Sequence, residues 1–504
     1  MASSRLEGDE QVELEGLTIE VPGVRGTVVV ERGAPSGSPR AARRRSGGPP
    51  AAGRTDPLDA ALRRQKMRTY RTAMVDGTRE TRRGTTRGPE RAAKPGPATL
   101  TVRAPRKGRG QVVLTVEDGI ATWHLPTEPR AAARGGRRGA RAPERPGTLT
   151  YTIPQVRPAP ELARRGGFPI SMIVKVITFP LAQVAGKAAR FVARKWDGDR
   201  HPPRVRAYGR DGRLTDLTAA GWKRLSEGPA LLFVHGTFST TEGGFDRLPA
   251  ATRRTLDDRY GGRVIAFDHP TIADDPFENA RQFFTIVGDR KLEVDIVCHS
   301  RGGLVSRSIG ERPGNLSNLG PNVKVRQVVL VGVLSNGTIL ADAAHWGELV
   351  DRLTTLIRLV PGPGAVDALE TVLAVVKTLA IGVAQELEGL DAMAPGSDYL
   401  KQLNKGAKGP KDATYRVIGS NFEPSDPALK AWLNDEVRDG LFEQLPNDMM
   451  VTIPSMSGAN GSGRFPIAAA DVRTFAAADA IEHSDYFGQP RTSEWLLEWL
   501  SGTT

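Results

Sequence analysis

The 504-residue chain contains a single cysteine, Cys298. One cysteine rules out a disulfide within the chain, so a reducing, cytoplasmic setting is the expectation. The opening "MASSRLEGDE" has no apolar centre of the kind a secretory signal needs. No run of about 18 uninterrupted apolar residues occurs, so no membrane span is expected. The nearest candidate, "ISMIVKVITFPLAQVAGKAARFVARKW", is broken by Lys175, Pro180 and Lys187. No His/Cys cluster has metal-ligand spacing, so neither a metal nor a cofactor is expected. Zinc, helix-turn-helix and aromatic RNA-binding motifs are absent too, which disfavours nucleic acid as a partner. No internal repeat is found.

What the chain has in quantity is arginine, unevenly placed. Residues 1–220 hold 42 Lys+Arg against 21 Asp+Glu, whereas residues 221–504 hold 28 against 36. The overall charge of +13 therefore belongs to the N-terminal part. At about 150 residues per domain, the length suits two to four domains. Residues 1–32 include valine-rich alternation and read as a β-rich segment. Residues 33–97, rich in Gly, Pro, Ser, Arg and Ala, read as a basic low-complexity linker with one short helix near "PLDAALRRQKMRTYR". Residues 98–160 resume strand-like alternation as a small β-rich domain, interrupted by the arginine-rich "RAAARGGRRGARAPERPG". Residues 161–224 read as a basic amphipathic helix, kinked at Pro180, and a connector. Lys187, Arg190, Arg194 and Lys195 near its end could meet an anionic membrane surface, or the helix could pack on the next domain.

From about residue 228 the texture changes. "ALLFVHG", "RVIAFDHP", "LEVDIVCHS", "VRQVVLVGV" and "TYRVIGS" are continuous apolar runs separated by helix-like segments. Such runs suit strands buried on both faces of a parallel sheet between helices. The third leads into "HSRGGLVSR", a strand that turns at once into a helix. A nucleophilic serine needs this sharp turn, with small neighbours that let helix and strand pass closely. Gly302 and Gly303 supply them downstream of Ser300, and Cys298 stands where glycine is usual upstream. Ser300 could otherwise be a simple helix cap.

A serine nucleophile needs a base. His345 and His483 follow it, and His483 in "AIEHSDYFGQ" is the better placed, just before the closing helix. The base needs a carboxylate to orient it. Asp448 in "PNDMMVTIPS" is the best candidate, with Asp426 and Asp435 as weaker alternatives. An oxyanion needs preorganised N–H donors. The backbone of Thr237 or Phe238, after "LLFVHG", and that of Arg301 can provide them. Gly236 and His235 support that loop, with His235 ordering it by hydrogen bonds. His299 is expected to point away from Ser300.

Together these stretches resemble the α/β-hydrolase superfamily, in its lipase-like branch of triacylglycerol lipases and glycosylphosphatidylinositol-deacylase-like proteins. "FVHGTF" is similar to that branch's oxyanion strand and loop, and "CHSRGGLVSR" to its H-S-x-G-G-L-V-x-R turn. "VLSNGTILA" is similar to its T-P-x-x-G-[ST]-x-x-A stretch, without the proline. "NDMMVTIPS" and "EHSDYF" are similar to its acid and base loops. The resemblance covers residues 225–504. It implies an α/β-hydrolase fold, a mostly parallel sheet flanked by helices, with a helical cap inserted at about 340–400 and the β-rich, basic region ahead of it. It implies Ser300 as nucleophile, Asp448 as acid and His483 as base, with an acyl ester or lipid as substrate. In the cap, Gly362 and Gly364 would be natural hinges. The expected activity is carboxylic-ester hydrolysis. Two alternatives stay open: a catalytically vestigial interaction module, and a phospholipid-degrading effector peripheral to a membrane.

Overall fold

The computed structural model describes residues 1–8, 10–32, 57–80, 96–127, 147–155, 167–181, 198, 201–359, 365–380, 387–405, 413–433, 440–442, 445–458 and 465–501. The chain divides into two units. One comprises Met1–Gln183, Leu373–Gly382 and Ser425–Arg438, and the other the intervening and C-terminal residues.

The first unit contains two antiparallel sheets. Strands β1 (Ala2–Gly8), β4 (Val24–Arg32), β5 (Arg68–Glu80), β10 (Gly167–Pro180), β7 (Arg109–Glu117) and β8 (Ile120–His124) form one, in that spatial order. Strands β2 (Gln11–Leu14), β3 (Leu17–Glu20), β6 (Ala98–Arg103) and β9 (Thr148–Ile153) form the other. Leu6, Val28, Val75 and Val174 of the first share one apolar core with Ile19, Leu100 and Tyr151 of the second. The β-rich segments expected as separate pieces, 1–32 and 98–160, thus belong to one unit.

Two expectations are corrected here. Residues 167–180 form a strand, not a kinked helix. Ile170, Met172, Val174 and Val176 are buried at a spacing of two, the period of a pleated strand. Lys175, which interrupts the apolar run in sequence, points to the other face and pairs with Asp59 of the short helix Pro57–Arg64. Residues 68–80, expected within the linker, form β5, hydrogen-bonded between β4 and β10. Ala73 and Val75 supply its buried face. The arginine-rich 130–146, the basic positions 187–195, Asp435 and the hinge glycines 362 and 364 lie outside the described residues.

The second unit is α/β. Its eight strands are β11 (Arg204–Tyr208), β12 (Leu214–Asp216), β13 (Ala230–Val234), β14 (Val264–Asp268), β15 (Leu292–His299), β16 (Val323–Val331), β17 (Thr414–Ser420) and β18 (Val472–Phe475). They lie in the order β12-β11-β14-β13-β15-β16-β17-β18. From β14 to β18 every neighbouring pair is parallel. β11 runs antiparallel to both its neighbours. The sheet therefore begins at Arg204, ahead of the expected boundary at 225. The half-polar β11 and β12 lack the apolar run that betrays a central strand.

β13 and β14 are buried at every position, as expected of strands covered on both faces. Leu231 and Phe233 face a core shared with Phe245, Leu256, Trp495 and Leu496. On the other side Gly302–Glu311 packs on β13, β15 and β16 and against Pro276–Val287. The cap residues fold as helices Trp346–Leu359 and Ala365–Ala380. Because the central strands are parallel, the turns after β13, β15 and β16 emerge at one edge of the sheet, where ligands bind in open α/β sheets. Among the described residues no helix is long and apolar enough to cross a membrane.

Candidate active site

Ser300 follows the last residue of β15 in left-handed backbone, φ 52°. Such strain is costly for a residue with a side chain and is held here from both sides. Its N–H donates to the Val331 carbonyl at 3.0 Å, and its carbonyl accepts from Gly303 N–H at 3.0 Å. The helix N-cap is Arg301, without a side-chain cap bond. Ser300 thus stands one residue ahead of the cap.

The packing explains the sequence around it. A Cβ on Gly302 would lie 2.3 Å from the Val234 carbonyl oxygen, and one on Gly303 would lie 2.2 Å from a Val333 methyl. A Cβ on Gly236 would come within 2.7 Å of Ser300 Cβ. Upstream, Cys298 is wholly buried and its thiol donates to the Val329 carbonyl at 3.4 Å. Burial pushes that thiol up to about 12, so it is inert.

Asp448 and His483 come together although 35 residues separate them. His483 Nδ1–H donates to Asp448 Oδ2 at 2.7 Å. Main-chain bonding joins the same loops, with His483 N–H on the Asp448 carbonyl at 3.0 Å. Asp448 is fully buried, and its Oδ1 accepts from Met450 N–H (3.0 Å) and Val451 N–H (2.8 Å). Burial alone would lower the affinity of His483 for a proton. The Asp448 carboxylate and the bond to it outweigh this and hold the imidazole above its ordinary 6.5. With Nδ1 committed to the carboxylate, Nε2 is left for proton exchange.

Ser300 and His483 line one cavity of about 150 Å³, together with Thr237, Phe238 and Ser239 of the turn after β13. Leu349, Leu353, Leu356 and Ile357, one face of helix Trp346–Leu359, form an apolar wall. Ala365 and Ala368 from the next helix and Met393 and Met450 extend it.

The turn after β13 is held by a buried network. Asp268 accepts from the Thr241 N–H (3.1 Å) and hydroxyl (2.8 Å), and from Arg206 Nε at 2.9 Å. Burial would raise the Asp268 carboxyl, but His235, Arg206 and these donors hold it below its usual range. His235 is fully buried; its Nδ1–H donates to the Gly236 carbonyl (3.0 Å) and its Nε2 accepts from His269 N–H (3.3 Å). Desolvation brings it down to about 4, so it is neutral and its nitrogens are spent on the loop. Phe238, with φ 58°, donates its N–H to the Thr271 hydroxyl at 3.3 Å. That bond occupies one of the two expected oxyanion donors and leaves Thr237. The guanidinium of Arg301 is turned into the protein, donating to the Asp274 and Gly389 carbonyls.

The remaining candidates lie elsewhere. Asp426 accepts from Leu429 N–H as a helix cap at 2.8 Å. His345 sits ahead of the cap helix, 4.0 Å from Glu348, and does not line the cavity.

Three residues, and the bond made by a fourth, escape sequence reasoning. Tyr486 donates its hydroxyl to Asp448 Oδ2 at 2.9 Å. His299 Nε2–H donates to the His483 carbonyl at 2.9 Å. Gly332, with φ 56°, leaves room for the pair, since a Cβ there would lie 2.8 Å from the Tyr486 ring and 3.3 Å from Asp448 Oδ2. Arg352 of the cap helix donates to the Met449 carbonyl beside the acid. Only the adjacency of His299 to Ser300 and the place of Tyr486 within the "EHSDYF" loop could have drawn attention to any of them.

Fold and site define an α/β protein with a strained serine at a strand–helix turn and a buried His–Asp pair opening on the same cavity. The chain belongs to the family described as a domain of unknown function, DUF7379, whose model matches residues 201–501. Comparison with curated proteins finds no match. Among solved structures it is similar to the lipase BlEst2 of Bacillus licheniformis, at 18% identity over 54% of this chain and 92% of that one, TM-score 0.32. It is also similar to EstA from Clostridium botulinum, at 11% identity over 55% and 87%, TM-score 0.39. Lipase 1 from Pelosinus fermentans is similar at 13% identity over 55% and 99%, TM-score 0.36.

Proposed function

We propose that this protein is a serine hydrolase of the α/β-hydrolase type that cleaves carboxylic esters through an acyl-enzyme on Ser300. One observation carries the reading: Ser300, in a strained turn, shares a cavity with a histidine already bonded to a buried carboxylate. His483 Nε2 takes the Ser300 proton as the serine oxygen attacks the acyl carbon. The backbone N–H groups of Thr237 and Arg301 receive the oxyanion. His483 H⁺ then protonates the leaving alcohol, and the same nitrogen activates the water that releases the acid. Asp448 orients the imidazole and stabilises its charged form. The leucine wall of the cap helix favours an apolar acyl group.

The test is labelling by a fluorophosphonate and turnover of p-nitrophenyl esters across chain lengths. The wild type should be labelled and active, and Ser300→Ala should be neither, a loss of at least about 10⁴-fold. A folded wild type that is unlabelled and inactive on every ester overturns the proposal.

A further inference from the structure

Asp448 carries more than a histidine. Its carboxylate is fully buried and takes four donors: two backbone N–H groups on Oδ1, and His483 Nδ1–H and the Tyr486 hydroxyl on Oδ2. An ionised carboxylate only accepts, so the tyrosine is the donor. The hydroxyl competes with the imidazole for one oxygen. We propose that Tyr486 is a positioning residue that tunes the base, resting on the functional reading above: by sharing Asp448 Oδ2 it fixes the carboxylate and moderates its hold on the His483 imidazolium.

The surroundings suit this role. Tyr486 is wholly buried, on a short turn three residues beyond the base. Its ring lies against the backbone of Gly332, where any Cβ would collide with it at 2.8 Å. Phe475 and His299 flank it at ring distances of 6.2 and 6.3 Å. Burial beside Asp448 drives the phenol far above its usual value, so it stays a donor at every working pH. The titratable groups facing His483 are Asp448, His299, Glu482 and Tyr486 itself. His299 is pushed down to about 3 by burial and remains neutral. Glu482 is the one that titrates in range, pushed up to about 7 by burial, and needs a control.

The sign follows from the shared oxygen. Removing the hydroxyl returns charge to Oδ2, the imidazolium is better stabilised, and its proton leaves at higher pH. Tyr486→Phe should therefore move the acid limb of the kcat/KM–pH profile upward by about 0.5–1 unit. The same shift should occur in a Glu482→Gln background. Placing 3-fluorotyrosine at 486, a stronger donor of nearly the same shape, should move the limb downward, and this holds the proposal to account even where the Phe variant folds poorly. A purely structural tyrosine would lower activity at all pH values and leave the limb in place; that result, in the fluorotyrosine protein or in folded Tyr486→Phe, overturns the inference. Fluorophosphonate labelling rate is followed across the same pH range. A labelled protein whose limb does not move sinks this inference alone, whereas an unlabelled wild type sinks the functional reading.

Discussion

Glu482 is the residue beside the base that no catalytic step uses. It is nearly buried, and its carboxylate accepts the Ser484 N–H (2.7 Å) and hydroxyl (2.8 Å). Burial outweighs these donors and pushes it up to about 7. A carboxyl whose folded value is raised favours the folded state at low pH. That contribution is complete below the ordinary 4.5 and is lost as pH rises through about 7. Glu482→Gln should then raise stability at pH 8 relative to wild type, by on the order of 2 kcal/mol, and change it little at pH 4. Paired thermal melts at the two pH values measure this; an equal shift at both would place the effect elsewhere. At this scale the sequence exposes Ser300, Asp448 and His483, because each sits in a recognisable local setting. Tyr486 and Gly332 stay hidden because their meaning lies in contacts with residues far away in the chain.

Among elements, the cap helix Trp346–Leu359 does two things at once. Its leucine face closes the cavity, and Arg352, almost fully buried, bonds the carbonyl of Met449 next to the acid. The Arg352 guanidinium also lies 4.9 Å over the Phe442 ring. Arg352→Met keeps the aliphatic stem but strands a buried carbonyl, a cost of about 1–3 kcal/mol. The variant should melt lower and turn over esters more slowly. Thermal melts with kinetics on one preparation check this, and wild-type values in both would dissociate the helix from the acid loop.

Element legibility followed burial. β13 to β17 are readable because strands covered on both faces carry continuous apolar runs, as in "ALLFV" and "QVVLV". β10 and β5 are hidden in the sequence because each has one covered face, so polar residues such as Lys175 alternate with the apolar ones and disguise the strand.

For the whole molecule, the informative fact is that the units are not contiguous in sequence. Leu373–Gly382 and Ser425–Arg438 group with Met1–Gln183. Within that grouping Lys377 Nζ donates to the Gln65 carbonyl (2.6 Å) and side-chain oxygen (2.8 Å), and Val375, Val376 and Trp432 are buried. A fragment beginning at residue 201 keeps those two segments but loses the rest of their unit. It should melt below the full chain and aggregate more readily. Light scattering and thermal melts compare the two proteins, and equal melting temperatures would show that the segments need no partner. Neither the composition nor the change of charge sign near residue 220 hints at this arrangement, since both treat the chain as consecutive blocks.

The arrangement also sets an order of events during synthesis. Residues up to 183 leave the ribosome well before residue 438, the end of the last segment of their unit. At about 5–20 residues per second, that interval is roughly 13–50 s. For that time the two β-sheets stand without their late segments, so the N-terminal unit is the first to be started yet is completed only after most of the second unit has been made.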